Sequence, residues 1–587
     1  MMNWYERDGC QRIAYFILIP LRFLLPSFVQ NGYLYPDEFF QSSEIMAKDI
    51  FQINSTVTWE WNKEFPVRSP ISAFITSGIP FLILSFLSKF VDITPHLLLI
   101  FPRIHMTLIS LISFDLPVYV ISRRLNLKPF NCLLVLSTSY VTHVFATRPF
   151  SNTLETGIFG IIIMLLINPR DKQVSVSNED KQHEMPSSIC ILVGSLTSLG
   201  FFCRQTFLVF ALVPYFGFLI DQVKRQQSYV VKTVAKLILM ALGFLITSMV
   251  FILLDSWYFG YLQEGNLVVT PMNFIKYNAF HSHAHGYHPF FTHFLVNIPL
   301  LFGPMAFLLY LELGTLIWKF GGENQNEQTR SHVSYKKFHD VLLVLSISVP
   351  IFILSLVPHQ EPRFLMPVFI PMVLLFSSKI AGPKNSPSLL LSWSIWNVIG
   401  CIFFGILHQA GIVPSLYHLH KSINEKVHVS AESYCHHVVY FHTYMPPTHL
   451  LAWPNDALIN THKLYVHDLA GSSRETFNLT MSKLKSDYCN EDKNMVYIVY
   501  PATVEVPVQF NNDANMIKFF PHLSMEDPPN FHQHITDLFF NTNYQYHDSG
   551  ITTMNIIDIS RTVWNHVCSQ LQKMKCDLSL NLHTTRF

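Results

Sequence analysis

Apolar residues in this chain come in long runs broken by short polar stretches. The runs lie at about 13–29, 71–91, 97–121, 129–146, 153–168, 187–203, 207–222, 237–255, 290–318, 340–357, 364–380 and 388–411. A helix needs about 20 mainly apolar residues to cross the hydrocarbon core of a bilayer, and several runs reach that length. The pattern predicts an α-helical polytopic membrane protein. No small-residue cleavage site follows the first run, which leads straight into a polar motif. It therefore reads as a retained helix, not a removed leader.

Basic loops set the expected orientation. Arg123, Arg124 and Lys128 form one; Arg170, Lys172 and Lys181 a second; Lys224, Arg225, Lys232 and Lys236 a third. Lys319, Arg330, Lys336 and Lys337 form a fourth, and Lys379 with Lys384 a fifth. With all five in the cytosol, residues 30–96, 147–152, 204–206, 256–289, 358–363 and everything after about 411 face the lumen. That alternation leaves one run over. Run 71–91, which contains Gly78 and Pro80, is expected to be a re-entrant or interfacial helix in the first lumenal loop, about 30–96. About eleven spans then remain in a transmembrane domain of residues 1–411. Residues 412–587 are rich in His, Asn, Asp and Thr and carry strand-like runs at Met495–Tyr500 and Met554–Ile557. They predict a small C-terminal lumenal α/β domain.

Composition agrees with a membrane protein. Half of the 587 residues are hydrophobic (50%) and only 13% are charged, against roughly 25% charged in soluble domains. A net charge of +1 gives no field that would draw nucleic acid. The nine cysteines form no CxxC pair, which argues against zinc-ribbon or thioredoxin chemistry. Cys489, Cys568 and Cys576 lie in the polar tail and are either a source of a disulfide or free thiols. Two sequons, at Asn54 and Asn478, fall on the lumenal side and mark candidate glycosylation sites.

The densest candidate chemistry follows the first run: Tyr35-Pro36-Asp37-Glu38-Phe39-Phe40-Gln41, then Glu44. Adjacent carboxylates where a span leaves the bilayer are costly to place for stability alone. Other lumenal loops add Trp59, Glu60, Trp61 and Arg68; Arg148, Asn152 and Glu155; Arg204; His288; and His359, Glu361 and Arg363. Arginines bind phosphate bidentately, aromatic rings pack on sugar faces at an interface, and a carboxylate deprotonates a hydroxyl. The combination suits transfer from a lipid-phosphate donor to an alcohol, with Arg148, Arg204 or Arg363 on the phosphate. Each feature also has a plainer reading. Asp37 and Glu38 suit a helix N-terminus, the arginines suit interface anchoring, and Trp59–Trp61 suits a packed turn. His281, His283, His285, His288 and His293 have no carboxylate or cysteine beside them, so no metal site is expected.

These motifs resemble, in order over about residues 10–380, those of the dolichol-phosphate-mannose-dependent α-mannosyltransferases of glycosyltransferase family 22. The resemblance is carried by Tyr35 to Gln41 with Glu44, Thr58-Trp59-Glu60-Trp61 with Pro66-Val67-Arg68-Ser69, and Thr147 to Thr156. Asp255 to Gly260, Thr270 to Phe274 and His359 to Phe364 complete it. Phe39 to Ala47, and His285 to Pro289 followed by Thr292 to Asn297, look most like the branch that adds the fourth mannose to the glycosylphosphatidylinositol (GPI) precursor. One departure is Tyr35, where the family signature usually has His.

The resemblance implies a GT-C fold in the endoplasmic reticulum membrane, with the active site and C-terminal domain lumenal. It implies inverting transfer from β-linked dolichyl phosphate mannose to the third mannose of the GPI precursor, giving an α1,2 linkage. Asp37 matches the family's proposed base, with Glu38 orienting it or contacting the acceptor. Tyr35, Gln41, Glu44, Trp59, Arg68, Asn152, Glu155, His288, His359 and Glu361 become substrate-binding candidates. The expected partners are the donor, the GPI glycolipid and membrane lipids, with no cofactor, no nucleic acid and no obligate protein partner. Another GPI intermediate or the lipid-linked asparagine-glycan precursor is the alternative acceptor. A secondary transporter or a non-catalytic scaffold is the alternative of another class.

Overall fold

The computed structural model describes residues 4–167, 185–225, 230–281, 286–321, 334–382, 387–429, 434–454, 462–486, 493–506, 516–530, 569 and 572–586. Among them, seven helices are long and apolar enough to cross a membrane: Gly9–Val29, Pro70–Leu87, Pro95–Arg124, Val231–Tyr258, Phe338–Ser355, Pro362–Ile380 and Pro387–Leu407. Six shorter apolar helices, Pro129–Thr138, Ser151–Leu166, Ser187–Cys203, Phe207–Gln222, His293–Phe302 and Pro304–Trp318, lie between them. Each expected apolar run is therefore helical, and the 290–318 run breaks at Gly303, whose φ is +46°. Several helices open on proline, as at Pro70, Pro95, Pro129, Pro304 and Pro387. A first-turn proline removes only an amide that has no partner there anyway.

The segment expected to be a re-entrant or interfacial helix is helical. Residues 70–87 reach spanning length, because Pro80 falls in the first turn of Ile79–Leu87, after a π-helical turn at Phe74–Gly78, and so does not end the helix. A buried ion pair crosses the bundle nearby. Arg22 meets Asp115 at 2.9 Å, and the Tyr15 hydroxyl donates to the same carboxylate at 2.8 Å. An unpaired charge at that depth would be expensive, so each partner demands the other.

After the last apolar helix the chain changes character. Strands β1 (Tyr434–Tyr440), β2 (His462–Asp468), β3 (Lys493–Pro501), β4 (Met516–Phe519) and β5 (Leu580–Arg586) form one sheet of order β2-β1-β3-β5-β4. β1 runs parallel to β2 and β3, while β5 is antiparallel to β3 and β4. Every residue of β1 is buried, as expected of a parallel strand covered on both faces. Helix Ile412–Val429 packs Val413, Leu416 and Ile423 on one face; helix Arg474–Ser486 packs Phe477, Met481 and Leu484 on the other. The expected strand at Met495–Tyr500 lies within β3. Cys435 is disulfide-bonded and Cys576 is free and exposed. The expected strand at Met554–Ile557, Cys489, Cys568, His283, His285, Arg170, Lys172, Lys181, Arg330 and Lys384 lie outside the described residues.

The sheet domain sits on the helix Glu44–Phe51 through one carboxylate. Glu44 is fully buried and accepts from the His449 amide at 3.1 Å, His449 Nδ1 at 2.9 Å, the Thr448 hydroxyl at 3.2 Å and the Thr56 amide at 3.1 Å. Its position as a substrate-binding candidate is thus replaced by a seam between the two halves of the chain. The Tyr33 hydroxyl adds a bond to the Met445 carbonyl at 2.9 Å, and the Asn54 amide one to the Trp453 carbonyl at 2.8 Å.

Glu44→Ala should lower stability by about 3 kcal/mol, since buried donors lose a charged acceptor. Limited proteolysis should then cut between residues 429 and 462 faster than in the wild type. A second expectation concerns acid. Burial pushes His436 down to about 3, His437 to about 4 and His522 to about 3, with neighbouring histidines adding to each shift. Their neutral forms stabilise the fold above the ordinary histidine value near ~6.5, and that contribution is lost as pH falls below it. Near-ultraviolet circular dichroism melts should therefore show a lower midpoint at pH 5 than at pH 7.

Candidate active site

Pro36 starts a helical turn, with the Glu38 amide bonded to the Tyr35 carbonyl at 3.0 Å and the Phe39 amide to the Pro36 carbonyl at 3.0 Å. A π-helical turn, Phe39–Ser43, follows and leads into helix Glu44–Phe51. Consecutive helical residues point about 100° apart. Asp37 and Glu38 therefore enter different surroundings: the Asp37 side chain is 25% exposed and that of Glu38 is 0% exposed.

Glu38 is held by two arginines. Arg103, from the helix Pro95–Ser110, places Nη2 at 2.7 Å and Nε at 3.2 Å from one oxygen. Arg148 Nη1 meets the other oxygen at 2.8 Å. The same arginines fasten backbone: Arg148 donates to the Gly32 carbonyl at 2.6 Å, and Arg103 to the Gln30 carbonyl at 2.6 Å. Burial, opposed by Glu38, brings the Arg148 guanidinium down to about 10, so it stays charged at neutral pH. Glu38 and Arg148, candidates for catalysis and phosphate binding, thus form a buried clamp that does not reach solvent.

Asp37 faces the other way, into a ring of polar groups. The Gln41 amide donates to it, one helical turn on, and the same amide nitrogen lies 3.4 Å from Glu60. Glu60 in turn pairs with Arg68 at 2.8 Å. On the opposite side Arg363 contacts both Asp37 and Glu361. His359 bonds Glu361 at 2.8 Å, and His288 Nδ1 accepts from the Gln360 amide at 3.3 Å. Burial raises the Glu361 carboxyl, but Arg363 and His359 outweigh it and hold the group well below the usual carboxylate range. Tyr35 places its ring 4.9 Å from the Arg363 guanidinium. Its hydroxyl is pushed well up by burial and then by Glu361, so it keeps its proton.

A second arginine lies close by. Arg204, between two apolar helices, pairs with Glu155 at 3.4 Å and donates to the Asn152 side-chain oxygen Oδ1 at 3.3 Å. Its guanidinium packs on the Phe364 ring at 5.1 Å, and Arg363 packs on the same ring at 5.5 Å. Phe364 thus separates two like charges while keeping them near each other. Burial lowers Arg204 to about 10 against the pull of Glu155. Asp255, fully buried, accepts from Ser69 at 2.7 Å and from Thr270, and so ties the 66–69 segment to the start of helix Thr270–His281.

Of the candidates read from the sequence, Asp37, Tyr35, Gln41, Arg68, Glu361, Arg363, His359 and His288 join one connected network, and Arg204, Asn152 and Glu155 flank it. Trp59 stands at its edge, 47% exposed. Arg103 was absent from the residues singled out in the sequence. Arg103 left a signal, since a lone arginine inside an apolar run needs a carboxylate partner. Among the described residues, no group of three or more His, Cys, Asp or Glu side chains is placed to hold a metal ion.

Fold and site together define a polytopic membrane enzyme with a carboxylate-arginine centre at one membrane face. The chain belongs to the Alg9-like mannosyltransferase family, whose profile matches residues 13–451. It is therefore a membrane-bound glycosyltransferase. GPI alpha-1,2-mannosyltransferase 4 of Homo sapiens is 32% identical over 561 residues, covering 90% of this chain and 92% of the relative. GPI mannosyltransferase 4 of Drosophila melanogaster is 28% identical over 626 residues, covering 90% and 88%. Among solved structures, ArnT from Cupriavidus metallidurans in the apo state aligns over 84% of this chain and 93% of that one, at 12% identity and a TM-score of 0.48.

The two neighbouring carboxylates should respond differently to neutralisation. Glu38→Gln leaves two buried guanidinium groups undercompensated and should cost about 3–5 kcal/mol, seen as lost monodisperse protein in detergent. Asp37→Asn should purify and melt like the wild type.

Proposed function

We propose that this enzyme transfers mannose from dolichyl phosphate mannose to the third mannose of the GPI precursor, forming an α1,2 linkage in the lumen of the endoplasmic reticulum. The observation that carries the reading is Asp37: a partly exposed carboxylate between the Gln41 amide and the Arg363 guanidinium, beside a further arginine. The acceptor class follows the names of the full-length relatives. In this reading Asp37 accepts the proton of the acceptor's 2-hydroxyl as that oxygen attacks the anomeric carbon. The carbon–oxygen bond to the phosphate breaks on the opposite face, and dolichyl phosphate leaves with the bonding pair. Arg363 and Arg204 stabilise the charge growing on the phosphate. Arg148 has no part in this step, because its charge is matched to Glu38. With guanidinium groups meeting the phosphate, the reaction needs no cofactor.

Arg363 has two obligations, to Asp37 and to Glu361. Glu361 keeps it in place when it turns from Asp37 toward an arriving phosphate. Tyr35 supports that position by offering its ring face, which gives the family's usual histidine position a different use.

The placement of the lumenal side is supported by the disulfide at Cys435, a bond that persists in oxidising compartments, and by Asn478, exposed on helix 474–486.

In a purified assay with a panel of lipid acceptors, only the three-mannose GPI lipid should be extended by one mannose, and chelation should not slow the transfer. Asp37→Ala, folded as judged by its melting curve, should lose at least about 100-fold in rate. Wild-type turnover by that variant would remove Asp37 from the mechanism. Asn478→Gln should abolish one endoglycosidase-sensitive shift in gel mobility; an unchanged shift would place the tail elsewhere or the glycan on Asn54.

A further inference from the structure

Helix Thr270–His281 has two kinds of edge. Met272, Ile275 and Phe280 are exposed. Asn273, Phe274 and Tyr277 lie on the side turned to the first lumenal loop, where the Asn273 amide bonds the Pro66 carbonyl at 3.0 Å and Arg68 packs on the Phe274 ring at 5.5 Å. Tyr277 stacks on Trp59, with ring centroids 4.3 Å apart and planes at 28°. Trp59 belongs to the short turn Trp59–Trp61, whose other tryptophan is buried and bonds the Phe40 carbonyl at 3.0 Å. One indole anchors the turn, and the other is presented outward.

The stack has a polar margin that ties it to the reacting carboxylate. Glu60 follows Trp59 directly in the chain and is paired with Arg68. Glu60 and Asp37 both contact a single Gln41 amide nitrogen, so less than two hydrogen-bond lengths separate each carboxylate from the other through that atom. An aromatic face bordered by a carboxylate and a guanidinium matches a sugar ring, which presents C–H groups on its face and hydroxyls around its edge. A membrane anchor would need no such margin, and the exposed Met272 and Ile275 lie on the helix's other edge.

Building on the proposed transfer reaction, we propose that Trp59, backed by Tyr277, is a binding platform for a hexose of the acceptor glycan, about one ring away from the mannose that is extended. The donor's sugar does not occupy it. Trp59 sets the length and register of acceptor that reaches Asp37, and Glu60 with Arg68 bonds the hydroxyls at the ring's edge.

The test uses the full-length enzyme in detergent or nanodiscs, with the three-mannose GPI lipid, a truncated one-mannose analogue and dolichyl phosphate mannose. Trp59→Ala should raise the acceptor KM about ten-fold while leaving the donor KM and the kcat at saturating acceptor within about two-fold. Trp59→Phe should restore most of the loss, and Tyr277→Ala, from the other element, should reproduce it in part. With the truncated analogue as a competitive inhibitor against the three-mannose lipid, wild type and Trp59→Ala should have the same inhibition constant. An unchanged acceptor KM in Trp59→Ala would overturn the platform, as would a change in donor KM of the same size. Poor folding of Trp59→Ala together with a wild-type KM in Tyr277→Ala and Trp59→Phe would also overturn it, making the stack a packing contact. If wild-type enzyme extends no GPI lipid, the transfer reading fails instead, independently of Trp59.

Discussion

The structure hangs on the buried pairing of Glu38 with Arg103 and Arg148. Three charges withdrawn from water would be ruinous singly, and they are tolerable because each guanidinium has both a carboxylate and a carbonyl to bond. The pairing joins a spanning helix, the segment before helix 151–166, and the loop emerging from the first helix. It also fixes the rotation of the turn that starts at Pro36. With Glu38 held, Asp37 has only one direction left. A carboxylate on a mobile loop would have to be ordered at the moment of reaction; here that ordering is completed on folding.

Much of this was legible in the sequence, and the limits have physical causes. Every apolar run became a helix, because twenty apolar residues have few alternatives in a bilayer. The strand at Met495–Tyr500 was equally readable from its alternation with aromatic and β-branched residues. The helix at 70–87 was legible from its apolar run, whereas its expected relation to the bilayer rested on charge parity alone. Asp37 and Glu38 are simply adjacent carboxylates in one dimension, and a 100° rotation between neighbours leaves one partly exposed and buries the other. Arg148 looked like a phosphate ligand since an arginine beside a proline does not reveal that its partner is 110 residues earlier. Glu44 suffered the same fate, its partners Thr448 and His449 lying more than 400 residues away. Residue type foretold that these groups would be paired, but only the fold chose with what.

The centre around Asp37 balances opposing demands. The base of the proposed reaction must be available, yet an unpaired carboxylate beside a membrane would be unstable. Gln41 and Arg363 occupy it in the resting enzyme, and both are groups that a bound substrate can displace or share. Glu361, held ionised by Arg363 and His359, keeps the local charge near balance when Arg363 shifts its attention. Phe364, between two guanidinium groups, lets positive charge gather without direct collision.

The seam at Glu44 bears on where this chain divides. By composition the membrane part ends near residue 411, and the sheet follows. The family match nevertheless runs on to residue 451, past β1 and through the turn Thr448–Leu451 that caps Glu44. A polypeptide severed at the membrane boundary would therefore carry a naked acid in its own interior, and the half released would have exposed amides with nothing to meet. The two parts are one folding unit whose border in sequence is not its border in space, so any rearrangement of the tail during evolution had to begin after that turn.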